Sequence, residues 1–345
     1  MSDSINQTQN VLVSVCLVTY NQKRFIKDAV ESALIQKTNF EYEIVIGDDC
    51  STDGTQEICA DYASKHPSKI KVLKREKNLG LLMNFVETIK ECRGELIAYL
   101  EGDDYWLTDN KLQRQTEILL KDQDVSLVHT NWKNYLVEDN ILKDSARVFK
   151  GRCKSETTKG IAGVETFLSN GYGGIRASSV MFRKDNINEI INKNYDIFKD
   201  RDIKTFDYFI FCHFTHKGFF RFINEDTTLY RLNPGSISVS ANIEKQIEFS
   251  FGILKAIINI LKFYNISNKP DFFFNRVLSS LLKACVDKKD YDLFNKIERV
   301  LSDGNINIQM RHNIIIFCIK HHMVGTLRFI IYISSFLKNS VIHNF

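Results

Sequence analysis

The sequence predicts an α/β fold, in which a mostly parallel sheet is flanked by helices and a helical region is appended at the C-terminus. Over residues 11–130, short apolar runs rich in β-branched residues alternate with helical patterns, as in strands joined by crossover helices. From residue 243 onward, only helical periodicity remains. A chain of 345 residues is long enough for one large core and a smaller second region.

The strands and helices follow in order along the chain. Residues 11–18 predict a central strand that is buried on both faces. Further strands are predicted at 42–46, 70–73, 96–100, 125–130 and 178–183, and helices at 25–34, 58–63, 82–92 and 111–121. Residues 219–223 and 227–232 predict two paired strands around a turn at Asn224, whereas residues 131–160 show little periodicity.

Three of the predicted strands end in polar clusters. These clusters are Thr19-Tyr20-Asn21, Asp48-Asp49 and Asp103-Asp104. In a parallel sheet, ligands gather beyond the carboxyl ends of the strands. We therefore expect the three clusters to converge on one crevice.

The pair Asp103-Asp104 points to a cation. Adjacent carboxylates repel each other, and an all-oxygen site completed by water and phosphate oxygens suits Mg²⁺ or Mn²⁺. A nucleoside diphosphate is then the natural partner, and Gly102 is expected to let backbone approach it closely. The alternative is a solvated acidic turn with Trp106 as an aromatic lid.

Other classes of site lack their defining residues. Asp49, Ser51, Asp53 and Gly54 imitate the start of a calcium loop, but Ala60 stands where the bidentate glutamate is needed. Glycine-rich dinucleotide and P-loop motifs are absent after the predicted strands. The net charge of +4, without a nucleic-acid motif, gives no indication of a nucleic-acid partner.

Several motifs in the first 130 residues together resemble family 2 glycosyltransferases, which are inverting enzymes with the GT-A (nucleotide-diphospho-sugar transferase) fold. The motifs occur in continuous order and are residues 14–21, 48–54, 78–80, Asn84, 94–95, 102–106 and 111–112. The resemblance implies a GT-A catalytic domain at 11–240, with a nucleotide-sugar half at 11–130 and an acceptor half at 131–240. A polar tail (1–10) precedes it and the helical region (241–345) follows.

By position, the resemblance implies a donor site for a nucleotide-sugar. The backbone near Val18 and the ring of Tyr20 would hold the base, and Asp49 would accept a hydrogen bond from it, which favours uracil. Asn78 belongs to the same donor site. The alternative for Tyr20 is a packing aromatic.

The resemblance also implies a divalent metal, Mn²⁺ or Mg²⁺. Asp104 would be its direct ligand, and Asp103 would lie by the ribose or the metal. Asp48 is expected to cap the following helix or face water.

Asp207 is the candidate catalytic base. Inversion requires a group that takes the acceptor hydroxyl proton on the face opposite the leaving group, and an apolar helix start would raise the pKa of such a carboxylate. The position of Asp207 resembles that of the family's base, although Phe206 and Tyr208 replace the usual neighbours. The alternative is that Asp207 stabilises the helix N-terminus through the dipole.

The segment 230–238 resembles a family loop that closes over the diphosphate. Arg231 would supply charge to the phosphates, and Ser236 or Ser238 a hydroxyl group. Asn233 stands where the family has histidine. The alternative for Arg231 is a buttress of its strand.

Candidate acceptor residues are fewer. Gly173 and Gly174 would form a flexible loop that an acceptor sugar approaches, and Trp106 would wall the site; the alternative for the glycines is a plain hairpin or bulge. In this family the stretch 131–160 is expected to shape the acceptor site.

The C-terminal region predicts successive amphipathic helices. Its last part, 314–337, is apolar but broken by charged residues, so a membrane-spanning helix is rejected. After Asp303 the chain has no acidic residue. Two alternatives remain: contact with an anionic membrane surface, or packing in the bundle or a homodimer.

The N-terminus and the cysteines predict the cellular location. The first ten residues are polar, and the eight cysteines show no C-x-x-C spacing. We therefore expect a reduced compartment, the cytoplasm, including the inner face of its membrane.

The resemblance thus implies transfer of a sugar from a UDP-sugar to a glycan or lipid-linked acceptor, in bacterial surface polysaccharide synthesis. One alternative is a non-catalytic carbohydrate-binding or scaffolding protein of the same fold. A sugar-phosphate nucleotidylyltransferase is disfavoured because residues 18–21 are not a glycine-rich loop.

Overall fold

A computed structural model of the chain describes residues 10–144, 158–170, 175–204, 206–232, 242–266, 272–304 and 310–321. The chain forms two compact units, Met1–Ser240 and Ala241–Phe345. The first unit contains a mixed sheet with helices, and the second contains helices.

The described strands of the first unit are β1 (Val13–Thr19), β2 (Tyr42–Asp48), β3 (Ile70–Lys74), β4 (Leu96–Glu101), β5 (Tyr105–Trp106), β6 (Val125–Leu136), β7 (Ile141–Asp144), β8 (Met181–Arg183) and β9 (Phe219–Leu232). Its described helices are α1 (Ile26–Leu34), α2 (Thr55–Lys65), α3 (Leu81–Glu91), α4 (Lys111–Lys121), α5 (Gly160–Asn170), α6 (Lys184–Phe198) and α7 (Phe206–Lys217). A short 3-10 turn, Ala177–Ser179, precedes β8.

The strands form one sheet in the order β3-β2-β1-β4-β8-β6-β9-β5, with β7 paired to β6. The first four are parallel to one another, and β8 is antiparallel to β4 and to β6. Strands β1 and β2 are buried along their whole length, as expected for central strands covered on both faces. The predicted α/β fold with a mostly parallel sheet flanked by helices is confirmed.

Two element predictions are wrong. Residues 219–232 form the single strand β9, in which Ile223 pairs with Thr130 and Asp226 with Asn131, so that Asn224 and Glu225 form a bulge instead of a turn. Residues 178 and 179 belong to the 3-10 turn, because the Ser179 N–H donates to the carbonyl of Arg176 over 2.9 Å.

The second unit is described by α8 (Ile243–Phe263), α9 (Phe272–Lys288), α10 (Tyr291–Asp303) and α11 (Met310–Lys320). Two of these helices begin at capping side chains. Asn242 accepts hydrogen bonds from Glu244 N and Lys245 N, and Asp290 accepts one from Leu293 N. Over the described ranges, none of the helices combines the length and apolar composition that a membrane crossing requires.

Candidate active site

The three polar clusters leave the sheet from adjacent strands at the same level. Thr19 of β1 is in register with Asp48 of β2, and Val18 of β1 with Glu101 of β4. Because these strands are parallel, their carboxyl ends share one edge of the sheet. The loops after β1, β2 and β4 therefore start side by side.

Hydrogen bonds tie the loop after β1 to the loop after β2. The Asn21 N–H donates to Ser51 Oγ over 2.8 Å, and the Thr52 N–H donates to Asn21 Oδ1 over 2.8 Å. Asn21 has a left-handed φ of 51°, which asparagine tolerates better than most residues. This turn leaves the neighbouring Tyr20 ring 49% exposed at the edge of the site.

Asp49 joins β2 to the loop before α3. Its buried carboxylate accepts hydrogen bonds from Leu79 N at 2.7 Å and Gly80 N at 2.9 Å, while Asn78 Nδ2 donates to the Asp49 carbonyl over 3.2 Å. Burial raises the pKa of Asp49, and the two backbone N–H groups oppose that rise. The carboxylate keeps further lone pairs with which to accept another hydrogen bond.

The carboxylate of Asp48, the residue before Asp49, binds a backbone group of its own loop. One of its oxygens accepts a hydrogen bond from the Ser51 N–H over 3.1 Å. The side chain is fully buried. Asp48 therefore holds the start of the loop after β2. It neither faces water nor caps α2, whose N-cap position is Gly54 without a side-chain hydrogen bond, so both expectations for Asp48 are wrong.

At Gly102 the backbone packs closely against side chains of the protein. A Cβ atom there would lie 2.4 Å from Gln22 Oε1 and 2.7 Å from Thr19 Oγ1. The Gly102 N–H donates to the carbonyl of Val18 over 2.9 Å. The glycine thus lets the loop after β4 pack on the exit of β1, which corrects the expectation of a close approach to a ligand.

Asp104 is 1% exposed and is held from two sides. Its Oδ2 accepts a hydrogen bond from Ser178 Oγ at 2.7 Å, and its Oδ1 accepts one from the Arg231 N–H at 3.1 Å. Burial, followed by repulsion from Asp103, raises the pKa of Asp104 to about 8. The side chain is therefore oriented before any ligand binds.

The charges of Asp103, Asp104 and Asp207 act on Glu101, and that of Asp103 acts on Asp104; we call these four residues the acidic cluster. Burial raises the pKa of Glu101 well above its usual range, and the charges of Asp104, Asp103 and Asp207 add to that rise. Glu101 was not singled out in the sequence. The available signal was an acid at the end of a buried strand, two residues before Asp103.

Asp207 is the second residue of α7 and is half-buried. Its Oδ1 accepts a hydrogen bond from the Tyr208 N–H over 3.0 Å. Its charge also acts on Glu101, at the end of β4. Asp207 thus accepts a hydrogen bond at a helix N-terminus and also acts through its charge on Glu101, another member of the acidic cluster.

Arg231 is buried and engaged on several sides. Its guanidinium forms an ion pair with Asp28 and donates to the carbonyl of Asp103 over 3.0 Å. It also lies 4.9 Å from the ring centres of Phe25 and Tyr105. These contacts make Arg231 a link between β9, α1 and the loop after β4.

Trp106 and Lys111 support the site from the core. The indole N–H of Trp106 donates to the Ser178 carbonyl over 2.8 Å, and Lys111 Nζ lies 4.5 Å from the Trp106 ring centre. Lys111 Nζ donates to Gln115 Oε1 over 2.6 Å. Burial lowers the pKa of Lys111 to about 7.

Trp106 is 2% exposed, so the expectation that it walls the site toward an acceptor is corrected: it is a core residue beneath Ser178.

Two groups of predicted residues are placed differently. Val18 is buried within β1, and its carbonyl accepts the Gly102 N–H. Gly173, Gly174, Asn233, Ser236 and Ser238 lie outside the described residues.

The acidic cluster suits a hard divalent cation. Its donors are carboxylate oxygens, and the raised pKa values show that their charges repel each other in the absence of a cation. Across the described ranges, His, Cys, Asp and Glu side chains do not form a group of three or more that could hold a metal ion. A cation held by Asp103 and Asp104 would therefore need its remaining ligands from water or phosphate.

An α/β sheet with acidic side chains at the carboxyl ends of its parallel strands places them where α/β proteins bind their ligands. Residues 14–227 match the model of the family described as Glycosyl transferase family 2. The chain belongs to this family, and the predictions of its family and of its GT-A fold are confirmed.

Individual relatives agree with this assignment over part of the chain. The putative teichuronic acid biosynthesis glycosyltransferase TuaG of Bacillus subtilis is 37% identical over 110 residues, which are 32% of this chain and 42% of that protein. The chondroitin synthase of Escherichia coli is 32% identical over 133 residues, which are 39% of this chain and 19% of that protein. The match thus covers less than half the length of these curated relatives.

A solved structure shows the same fold. The mannosyltransferase PcManGT of Pyrobaculum calidifontis, in complex with GDP-Man and Mn²⁺, is 12% identical, with a TM-score of 0.50 over 93% of this chain and 87% of its own. At this identity, the likeness concerns the fold alone.

Proposed function

We propose that this chain transfers a sugar, with inversion, from a nucleotide-sugar donor to a glycan or lipid-linked acceptor. The observation that carries the proposal is the acidic cluster at the sheet edge, beside the loop held by Asp49. The donor is a UDP-sugar in this proposal, because the free lone pairs of Asp49 suit the N–H of uracil. Tyr20 and Asn78 border the same loops and complete the base site.

Asp103 and Asp104 are the proposed cation ligands. The Asp104 oxygens already accept hydrogen bonds from Ser178 and Arg231 N, which fixes their direction while leaving lone pairs for a metal. A bound Mn²⁺ or Mg²⁺ supplies positive charge for the departing nucleoside diphosphate. Ser178 and the Arg231 backbone therefore act as positioning groups in this proposal.

Asp207 is the proposed base. A carboxylate that faces the acidic cluster is well placed to take the proton of an acceptor hydroxyl, and this kind of catalysis contributes about 10²- to 10⁴-fold. The charge of Asp207 acts on Glu101 at the end of β4, which supports a position of this carboxylate near the proposed cation ligands.

The acceptor is proposed to be a bacterial polysaccharide or its lipid-linked precursor. Support comes from the names of the relatives, which refer to teichuronic acid and chondroitin synthesis.

For the C-terminal region we propose peripheral contact with the cytoplasmic membrane. On α11, Ile314 is 48% exposed and Phe317 is 55% exposed, and the chain has no acidic residue after Asp303. A homodimer through the same helices is the alternative.

Two substitutions separate binding from chemistry. Asp104→Ala is expected to abolish both metal-dependent nucleotide-sugar binding and transfer, because it removes a cation ligand. Asp207→Asn is expected to keep the donor affinity and lower turnover by about 10²-fold or more, since an amide cannot accept the proton. Donor binding is measured by calorimetry with Mn²⁺, and turnover by nucleotide release. Equal turnover in Asp207→Asn and wild type would remove Asp207 as the base.

A further inference from the structure

Arg176 stands next to the acidic cluster on the segment that positions Asp104. Two residues after it, Ser178 donates its hydroxyl to Asp104 over 2.7 Å. Tyr230, whose ring lies 4.2 Å from the Arg176 guanidinium, precedes Arg231, and the Arg231 N–H bonds the other Asp104 oxygen. The guanidinium is therefore close to the carboxylates of the proposed donor site.

Two aromatic rings hold the guanidinium in place. It lies 4.2 Å from the ring centre of Tyr230 and 5.2 Å from that of Trp132. A guanidinium over ring faces is held by cation–π attraction, and its N–H groups can still donate hydrogen bonds to a ligand. The Nε atom of Arg176 is buried without a hydrogen-bond partner.

Within the described part of the chain, Arg176 forms no ion pair. It lowers the pKa of Glu101 and of Asp104, so it acts within the cluster, yet no carboxylate of the described residues lies within ion-pair distance of it. Arg231, by contrast, is occupied by Asp28 and the Asp103 carbonyl. Arg176 is thus the better placed of the two guanidinium groups for an anion at this site.

We propose that Arg176 binds the diphosphate of the nucleotide-sugar donor through its free N–H groups. The inference rests on the proposed function, because the anion that shares a site with a carboxylate-bound cation is the donor diphosphate. Planar guanidinium groups bind phosphate oxygens in pairs, and the two stacked rings hold this one in a fixed orientation for that contact.

The affinity of the full chain for UDP, measured by calorimetry with Mn²⁺, tests the proposal. Arg176→Gln is expected to raise the Kd of UDP by about 10- to 100-fold, the effect of losing charge-assisted hydrogen bonds. The affinity for uridine, measured by ligand-observed NMR, is expected to stay the same because uridine carries no phosphate. Arg176→Lys keeps the charge but loses the planar fork, and is expected to weaken UDP binding by a smaller factor.

Arg221→Gln is the matched control. The Arg221 guanidinium also lies over an aromatic ring, 5.6 Å from the ring centre of Phe219, and forms an ion pair with Asp122. Arg221→Gln changes the net charge of the chain by the same amount as Arg176→Gln. It is expected to leave UDP binding unchanged. An Arg176→Gln variant that folds and binds UDP like wild type would overturn the inference. If that variant does not fold, a wild-type Kd in Arg176→Lys would overturn it. A wild type that binds no nucleoside diphosphate would instead remove the proposed function itself.

Discussion

At the scale of single residues, Asp104 shows how burial and chemistry are combined. A buried carboxylate is costly unless hydrogen bonds and charges compensate it, and Asp104 receives a hydroxyl, a backbone N–H and the nearby charge of Arg176. Its pKa nevertheless stays near 8 because burial and Asp103 outweigh these groups. A cation would relieve the same repulsion, which links the stability of the site to its proposed ligand.

Lys111 gives a pH-dependent prediction. Burial lowers the pKa of Lys111 from its ordinary value of 10.5 to about 7 in the folded chain. At pH values between about 7 and 10.5, the Lys111 side chain is protonated in the unfolded chain and neutral in the folded chain. The free energy of unfolding therefore rises with pH, by at most about 1.4 kcal/mol per pH unit. The free energy of unfolding of wild type minus that of Lys111→Met should therefore increase from pH 7 to pH 9, as measured by urea denaturation without metal.

Lys121→Met provides the control for this comparison. Lys121 lies on the same helix and is exposed, so the corresponding difference should be independent of pH. A constant difference between wild type and Lys111→Met over the same range would show that Lys111 is protonated in the folded chain.

The sequence reveals some of these residues and conceals others for a physical reason. Asp49, Asp103 and Asp104 directly follow apolar strands, so a local pattern indicates them. Ser178 and Arg176 reach Asp104 from more than 70 residues away in the chain, and only the fold brings them together. Trp106 looked like a surface aromatic because its contacts with Ser178 and Lys111 are tertiary.

At the scale of secondary-structure elements, the central strands β1 and β4 were predictable, whereas the long strand β9, which pairs in parallel with β6, was not predicted as one strand. Residues 11–18, apart from Ser14, and residues 96–100 are apolar because both faces of these strands are covered. Strand β9 carries polar residues at its bulge, which interrupts the periodicity and imitates a turn. Pairing with β6 decides its structure, and that pairing leaves no local signal.

The packing of β1 against the start of β4 gives an element-scale prediction. A Cβ atom at Gly94 would lie 2.5 Å from Ser14 N and 2.7 Å from Val13 C, both backbone atoms of β1. Gly94→Ala is therefore expected to lower the free energy of unfolding by about 1–3 kcal/mol or more, since the strands must separate. Urea denaturation measures the loss.

Gly160→Ala is the comparison variant. Gly160 has a φ of +72° with no atom within 4 Å of the added Cβ, so it reports backbone strain alone, expected at about 1–2 kcal/mol. Unchanged stability in Gly94→Ala would contradict the close packing of β4 on β1.

At the scale of the whole molecule, the described candidate site residues lie within the first compact unit, Met1–Ser240. Removal of residues 305–345 is therefore expected to leave the Kd of UDP within about 2-fold of wild type, a difference of ~0.4 kcal/mol.

The same removal is expected to abolish flotation with anionic liposomes, because it deletes the basic and apolar end of the chain. Flotation by the shortened, folded chain would contradict the proposed membrane contact, and a loss of dimer in sedimentation would support the alternative.

The central claim concerns a nucleotide-sugar held with a divalent cation at the edge of the sheet. A thermal-shift panel of nucleotide-sugars, with and without Mn²⁺ or Mg²⁺, tests it most directly on the wild-type chain. A UDP-sugar is expected to raise the melting temperature, and the rise is expected to depend on the metal. Melting temperatures that no nucleotide-sugar changes, with or without metal, would contradict it.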